Sequence, residues 1–191
     1  MMLTEKSTLK RLKHLPALFR KVDAEKVAPH TAQFLSRATA EGLIHRIKRG
    51  HYINSFLFGF PNVETVACFL RPPAYISCEW ALNYHGISLQ VPFVCTAITL
   101  SGAVGRRRTL LYQGIAIEFS KIADRLFTGF ETIDGFQMAT PEKAVLDSLH
   151  FHGHLAAADE LQWDALNRNT LLEQGKAYPT RVLRQLDAML K

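Results

Sequence analysis

A chain of 191 residues, 48% hydrophobic and 21% charged, has the composition of a folded protein of one medium or two small domains, not of a disordered segment. Its longest apolar windows, 53–61 and 87–100, are broken by polar residues or proline, and none approaches the roughly 18 apolar residues of a membrane span. The net charge of +6 is unevenly placed: residues 1–54 carry eleven lysines and arginines against four acids, and the rest carry twelve against thirteen.

That asymmetry points to a polyanionic partner for the first 54 residues alone, because releasing condensed counterions favours such binding. The basic start "MMLTEKSTLKRLKHL" is followed by no apolar signal core with a cleavage site. Cys68, Cys78 and Cys95 form an odd set with no C-x-x-C pair, which argues against a disulfide frame or a four-cysteine zinc site. Each is expected to be a small buried hydrophobe with a reduced thiol, and the protein is expected to be cytoplasmic.

In chain order, Leu9, Leu12, Leu15, Phe19 and Val22 recur at helical spacing, with Pro16 an irregularity near the start of a helix. Asp23 is expected to cap a short helix through Val27, which Pro29 ends. Thr31 or His30 opens a third helix, "TAQFLSRATAEG", that Gly42 stops. Phe34, Leu35 and Ala38 share one face of it, and Gln33, Ser36, Arg37 and Ala40 share the other. The next stretch, "GLIHRIKRGHYIN", packs five basic or imidazole side chains among β-favouring apolar ones. It reads as a hairpin turning at Arg49-Gly50, with Ile44, Arg46 and Lys48 alternating against Leu43, His45 and Ile47. A hairpin with one side anchored and the other basic, after three helices, describes a winged helix-turn-helix.

"FLFGFPNV", 56–63, reads as a connection, and the domain boundary is expected there, giving domains 1–60 and 61–191. Beyond it, "AYIS" is a short strand and Glu79–His85 a helix stopped by Gly86. "FVCTAITLSG" alternates in β style, and "RTLLYQGIAIEFSKI" reads as two strands joined at Gln113-Gly114. "FETIDGFQMAT" is a hairpin around Asp134-Gly135. Thr140-Pro141-Glu142 starts a helix strongly, with a cap, proline at the first position and an acid at the positive end. Further helices are expected at about 155–168 and 178–190, the latter with Val182, Leu183, Leu186, Met189 and Leu190 on one side. The fold class expected is α+β, a winged helix-turn-helix followed by a mixed α+β domain.

"EGLIHRIKRGHYI", then "PPAYISCEWALNYHGISLQVP", then "LFTGFETIDGFQMATPEKAVLDSL" resembles the AbiEi family of bacterial antitoxins and transcriptional regulators of phage-defence systems. The resemblance spans about residues 20–152. It implies a winged helix-turn-helix at the front and an antitoxin domain behind it. It also implies repression of the protein's own operon and neutralisation of a nucleotidyltransferase-type toxin without a stable complex with it.

The expected partner is double-stranded operator DNA, met by a possible homodimer. Gln33, Ser36 and Arg37 on the free face of the third helix are within reach of a major groove, where Gln and Arg bond adenine and guanine edges. Arg46, Lys48 and Arg49 are expected on phosphates or in a minor groove, and Thr31 and His30 on a phosphate at the helix start. "GRRRT", 105–109, is taken as a solvated loop. "HFHGHL", with His150, His152 and His154, reads as a helix end whose imidazoles suit the negative dipole, with no metal expected. No cofactor and no catalytic set are expected. The competing readings are a nuclease-like enzyme using Glu118 and Lys121, which lie three apart on a strand and so diverge, and a DNA-tethered protein-interaction module.

Overall fold

Proline decides where the first helix stops. In the computed structural model, which describes residues 8–102, 108–156 and 158–190, the chain is mixed α+β and divides into two units, Met1–Asn62 and Val63–Lys191. Helix α1 covers residues 8–12 and tightens at its end, where His14 and Leu15 donate to Arg11 and Leu12. Pro16 has no N–H to continue it and biases the residue before it towards extended backbone. The expected single helix from Leu9 to Val22 is therefore corrected. Strand β1 (Leu18–Arg20) follows, then helix α2 (Lys21–Glu25). Phe19 is fully buried, but from a strand, and Val22 is exposed. Asp23 is likewise not the cap of α2 but lies in its first turn, its carboxylate accepting the Arg20 N–H at 2.9 Å.

Helix α3 (Thr31–Ala40) starts where expected and buries Thr31, Phe34, Leu35 and Ala38. Its end is a Schellman motif: Gly42 donates to Thr39 and Leu43 donates to Ala38, with Gly42 at φ +70. A Cβ on Gly42 would meet nothing within 4 Å, so the cost of Gly42→Ala is conformational alone. It should lower stability by about 1–2 kcal/mol, read as a lower thermal midpoint of the first unit.

Strands β2 (His45–Lys48) and β3 (His51–Ile53) form the hairpin, and β1 adds to β3 so that the sheet order is β1-β3-β2. Arg46 faces Tyr52 and Lys48 faces His51, so Ile47 is the extra residue of a β-bulge. His51 and Tyr52 are consecutive and point to opposite faces, and paired residues share a face. Arg46 therefore lies with Tyr52 and Phe19 on one face, and Lys48 with His51 and Arg20 on the other. The expected shared face for Arg46 and Lys48 is lost to that one inserted residue.

Leu12, Leu15, Phe19, Ala24, Ala28, Phe34, Leu35, Ala38 and Ile44 make the core of this unit, with Tyr52 and Leu57 against it. Asn54, fully buried, ties the end of β3 to α1 by donating from Nδ2 to the Leu12 and Leu15 carbonyls at 2.9 and 3.1 Å. Leu12 closes α1 and Leu15 lies just beyond it, so the Asn54 amide pins the segment where the helix ends. A short helix α4 (Ser55–Phe58) occupies part of the expected connection.

The second unit opens with a helix the sequence reading passed over, α5 (Val63–Leu70), which buries Val63, Val66, Ala67 and Leu70 at i, i+3, i+4 and i+7. Strand β4 (Ala74–Ser77) and helix α6 (Cys78–Tyr84) follow, then β5 (Val94–Thr99), β6 (Thr109–Tyr112), β7 (Ile115–Lys121), β8 (Phe130–Ile133) and β9 (Phe136–Ala139). They form one sheet in the order β6-β7-β5-β4-β9-β8. The β4–β9 and β5–β7 pairs are parallel and the other three antiparallel.

Helix α7 (Pro141–Phe151) begins on the Thr140 cap and buries Glu142 through Leu149. Helices α8 (Arg168–Gly175) and α9 (Thr180–Met189) close the unit. The expected helix at 155–168 is replaced by two short 3-10 turns, and α8 starts where it should have ended. Asn167 caps α8 by accepting from Thr170 N–H at 3.0 Å, and Gln162 N–H is drawn to the Ile87 carbonyl at 2.9 Å. Tertiary hydrogen bonds thus outweigh helix propensity there. No helix among the described residues is long and apolar enough to cross a membrane.

Candidate nucleic-acid interface

Because α3 turns Phe34, Leu35 and Ala38 inward, its outer surface carries Ala32, Gln33, Ser36, Arg37 and Ala40, all exposed. Two stripes run along it. Gln33 and Arg37 are one helical turn apart on the first; Ala32, Ser36 and Ala40 lie on the second. The small residues leave the helix backbone close to whatever lies against that stripe. It borders a groove of about 510 Å³ whose far wall is Arg46 and Tyr52 of the hairpin, with Lys21 at one side. Helix, hairpin and the α2 start thus meet around one concave, basic surface, and Ser36 and Arg46, chosen from sequence on separate grounds, line it together.

Arg46 is exposed at the groove edge and Arg49 is exposed at the hairpin turn. Lys48 is half-buried on the opposite face of the hairpin, beside His51. Burial lowers the His51 pKa, with the charges of Lys48 and Arg20 acting in the same direction against a hydrogen bond to the Arg49 carbonyl. His51 Nδ1 lies 3.2 Å from the Arg49 carbonyl, a contact across the turn. Thr31 is buried, and its hydroxyl donates to the Ala28 carbonyl at 2.7 Å. Its side chain joins α3 to the preceding turn. His30 is exposed at the N-cap position of α3.

Lys21 and Tyr52 belong to the groove and were not singled out from sequence. Tyr52 stacks on Phe19 with ring centroids 5.5 Å apart, which fixes that wall of the groove. Lys21 pairs with Glu25 at 3.3 Å, both half-exposed, a contact that holds the ammonium only weakly.

The second unit buries one cluster of polar side chains. Asp147, fully buried, accepts from Tyr75 Oη at 3.0 Å, Ser77 Oγ at 2.7 Å, Tyr178 Oη at 2.6 Å and Lys143 Nζ at 2.6 Å. Lys143 also donates to Tyr178 Oη. Burial lowers the Lys143 pKa against the opposing pull of Asp147, and burial followed by the Asp147 charge raises those of Tyr75 and Tyr178. Glu142 accepts the Asn167 N–H at 2.8 Å. "AYIS" and "ATPEKAVLD" are therefore one buried network: Tyr75 and Ser77 come from the first, Lys143 and Asp147 from the second, and Thr140 caps the helix that carries the latter.

His85 Nε2 contacts the Ala139 carbonyl at 2.7 Å. Glu118 is ion-paired with Arg108, and Lys121 is three residues along β7 and exposed. Of "GRRRT", only Arg108 and Thr109 lie within the described residues. In "HFHGHL", His152 caps the end of α7, and its Nδ1 meets Glu79 Oε1 at 3.0 Å. That hydrogen bond raises the His152 pKa against burial. Comparison with protein families and with curated proteins finds no match for this chain.

Proposed function

We propose that the chain is a sequence-specific DNA-binding repressor of the AbiEi type and the antitoxin of a type IV toxin–antitoxin module acting in phage defence in the cytoplasm. In this reading the first unit is a winged helix-turn-helix. Its order of α1, β1, α2, α3 and a hairpin, with β1 completing the sheet, is the order such a domain needs. Helix α3 reads bases through Gln33, Ser36 and Arg37, and the hairpin is the wing. The observation that carries the reading is the groove between the outer stripe of α3 and Arg46. A helix with small and hydrogen-bonding residues outward, flanked by cations, suits a major groove with phosphates beside it. Arg46 and Lys21 would meet phosphates from within the groove, and Arg49 and Lys48 from the hairpin tip. Thr31 contributes through its backbone at the start of α3. Binding as a homodimer or cooperatively would match paired half-sites.

The antitoxin role rests on the AbiEi resemblance, whose blocks include the "AYIS" and "ATPEKAVLD" segments that build the Asp147 network. In this reading the second unit is the toxin-neutralising domain and carries no chemistry of its own. Cells expressing a cognate nucleotidyltransferase-type toxin should be rescued by the wild type and by a Glu118→Ala/Lys121→Ala variant alike, scored as colony survival. An Arg46→Ala/Arg49→Ala variant should also rescue. Failure of the Glu118/Lys121 variant alone, still folded, would favour the enzyme reading. Failure of the arginine variant alone would route neutralisation through DNA.

A further inference from the structure

We propose that Cys78, Glu79 and His152 form a zinc-binding site in the second unit, independent of the DNA reading. The Cys78 sulfur, a Glu79 carboxylate oxygen and a His152 ring nitrogen all lie within 4.8 Å of one another. A tetrahedral zinc ion, with bonds of about 2.0–2.3 Å, holds its ligand atoms roughly 3.3–3.8 Å apart. The three side chains need to shift by about an ångström to meet that geometry, with Glu79 and His152 opening from 3.0 Å and the sulfur closing in.

The donor set selects the ion. Thiolate, imidazole and one carboxylate suit zinc, whereas magnesium and calcium want oxygen alone. The charges also balance: a thiolate and a carboxylate neutralise a dication, which removes the penalty of placing it beside buried groups. Metal-free, the Cys78 thiol is held protonated by burial and by the nearby Asp147 and Glu79 carboxylates. Zinc reverses that preference by binding the sulfur as thiolate, and the proton goes to solvent.

Glu79 and His152 border a cavity of about 430 Å³ shared with His154 and Glu118, with an apolar wall that includes Val91 and Phe93, and Cys78 does not line it but lies fully buried. His154 lies with its ring 6.5 Å from that of His152 and borders the same cavity. Water or His154 would complete the coordination, and the apolar wall would limit solvent exchange. Cys78 also has a positive φ of 58, a conformation that non-glycine residues adopt at a cost and that clusters at functional sites. The ion would clamp the start of α6 to the end of α7.

The test is titration of the chelator-treated full-length protein with zinc against a chromogenic competitor, followed by cobalt substitution. One equivalent per chain is expected, weakened by at least about 10–100-fold in Cys78→Ser, Glu79→Gln and His152→Gln, the loss that outer partners alone can cause. Zinc at a hundredfold excess over Kd should raise the thermal midpoint by roughly 5–10 °C in the wild type and not in the variants. The cobalt form should show a sulfur charge-transfer band that disappears in Cys78→Ser. Should Cys78→Ser fail to fold by circular dichroism, Glu79→Gln and His152→Gln decide. Absence of stoichiometric binding by the wild type, or equal binding by the folded variants, overturns the proposal.

Discussion

Asp147→Ala should lower the stability of the second unit by about 3–5 kcal/mol, the loss expected when one partner of a buried ion pair is removed. Lys143, with a side chain only 3% exposed, keeps no anionic partner in that variant, and Tyr75, Ser77 and Tyr178 lose a shared acceptor. Urea denaturation should show the shift in midpoint with an unchanged slope. The sign of its pH dependence follows from Lys143. Burial already holds its folded pKa below the ordinary 10.5. Without Asp147 that depression grows, so the unfolded chain binds the proton more readily than the folded one. Stability of the variant should therefore recover as pH rises through the lowered folded value towards 10.5. A variant as stable as wild type would mean that the network carries no structural weight. A Lys143→Met/Asp147→Leu pair should cost less than Asp147→Ala alone, because no charge remains buried, though the hydroxyls still lack their acceptor.

Arg37→Ala or Gln33→Ala should reduce preference for the operator over random DNA by about 1–3 kcal/mol, the discrimination of one bidentate base contact. Arg49→Ala and Lys21→Ala should behave differently. Each should weaken binding to both DNAs and reduce the logarithmic salt slope by about 0.9, the counterion term of one phosphate. Anisotropy titrations at several salt concentrations separate the two outcomes. Equal loss of preference from Arg37→Ala and Arg49→Ala would mean that the hairpin also reads bases.

How far the sequence disclosed this arrangement depended on whether the deciding interaction was local. Helix α3 was legible because its periodicity, its start at Thr31 and its Gly42 stop all agree, and its exposed Gln33, Ser36 and Arg37 follow from the 3.6-residue period alone. The β8–β9 hairpin and the Thr140-Pro141 start of α7 were legible for the same reason. Strand β1 was not, because Phe19 and Leu15 continue a helical period that Pro16 interrupts, and a strand of three residues acquires its identity from β3, thirty residues on. The bulge at Ile47 was hidden because one inserted residue leaves composition untouched while sending Lys48 to the other face. Helix α5 was legible and passed over: Val63, Val66, Ala67 and Leu70 are plainly helical in spacing. The Asp147 network and the Cys78–Glu79–His152 cluster join segments about seventy residues apart, and nothing local announces either.

DNA recognition by α3 and the hairpin is tested most directly by binding of the full-length chain to the DNA upstream of its own gene, in excess random competitor, beside a Gln33→Ala/Arg37→Ala/Arg46→Ala variant with native circular dichroism. The wild type should shift that fragment in preference to random DNA, and the variant should not. A variant that binds as well as the wild type, or a wild type with no preference for that fragment, would contradict it.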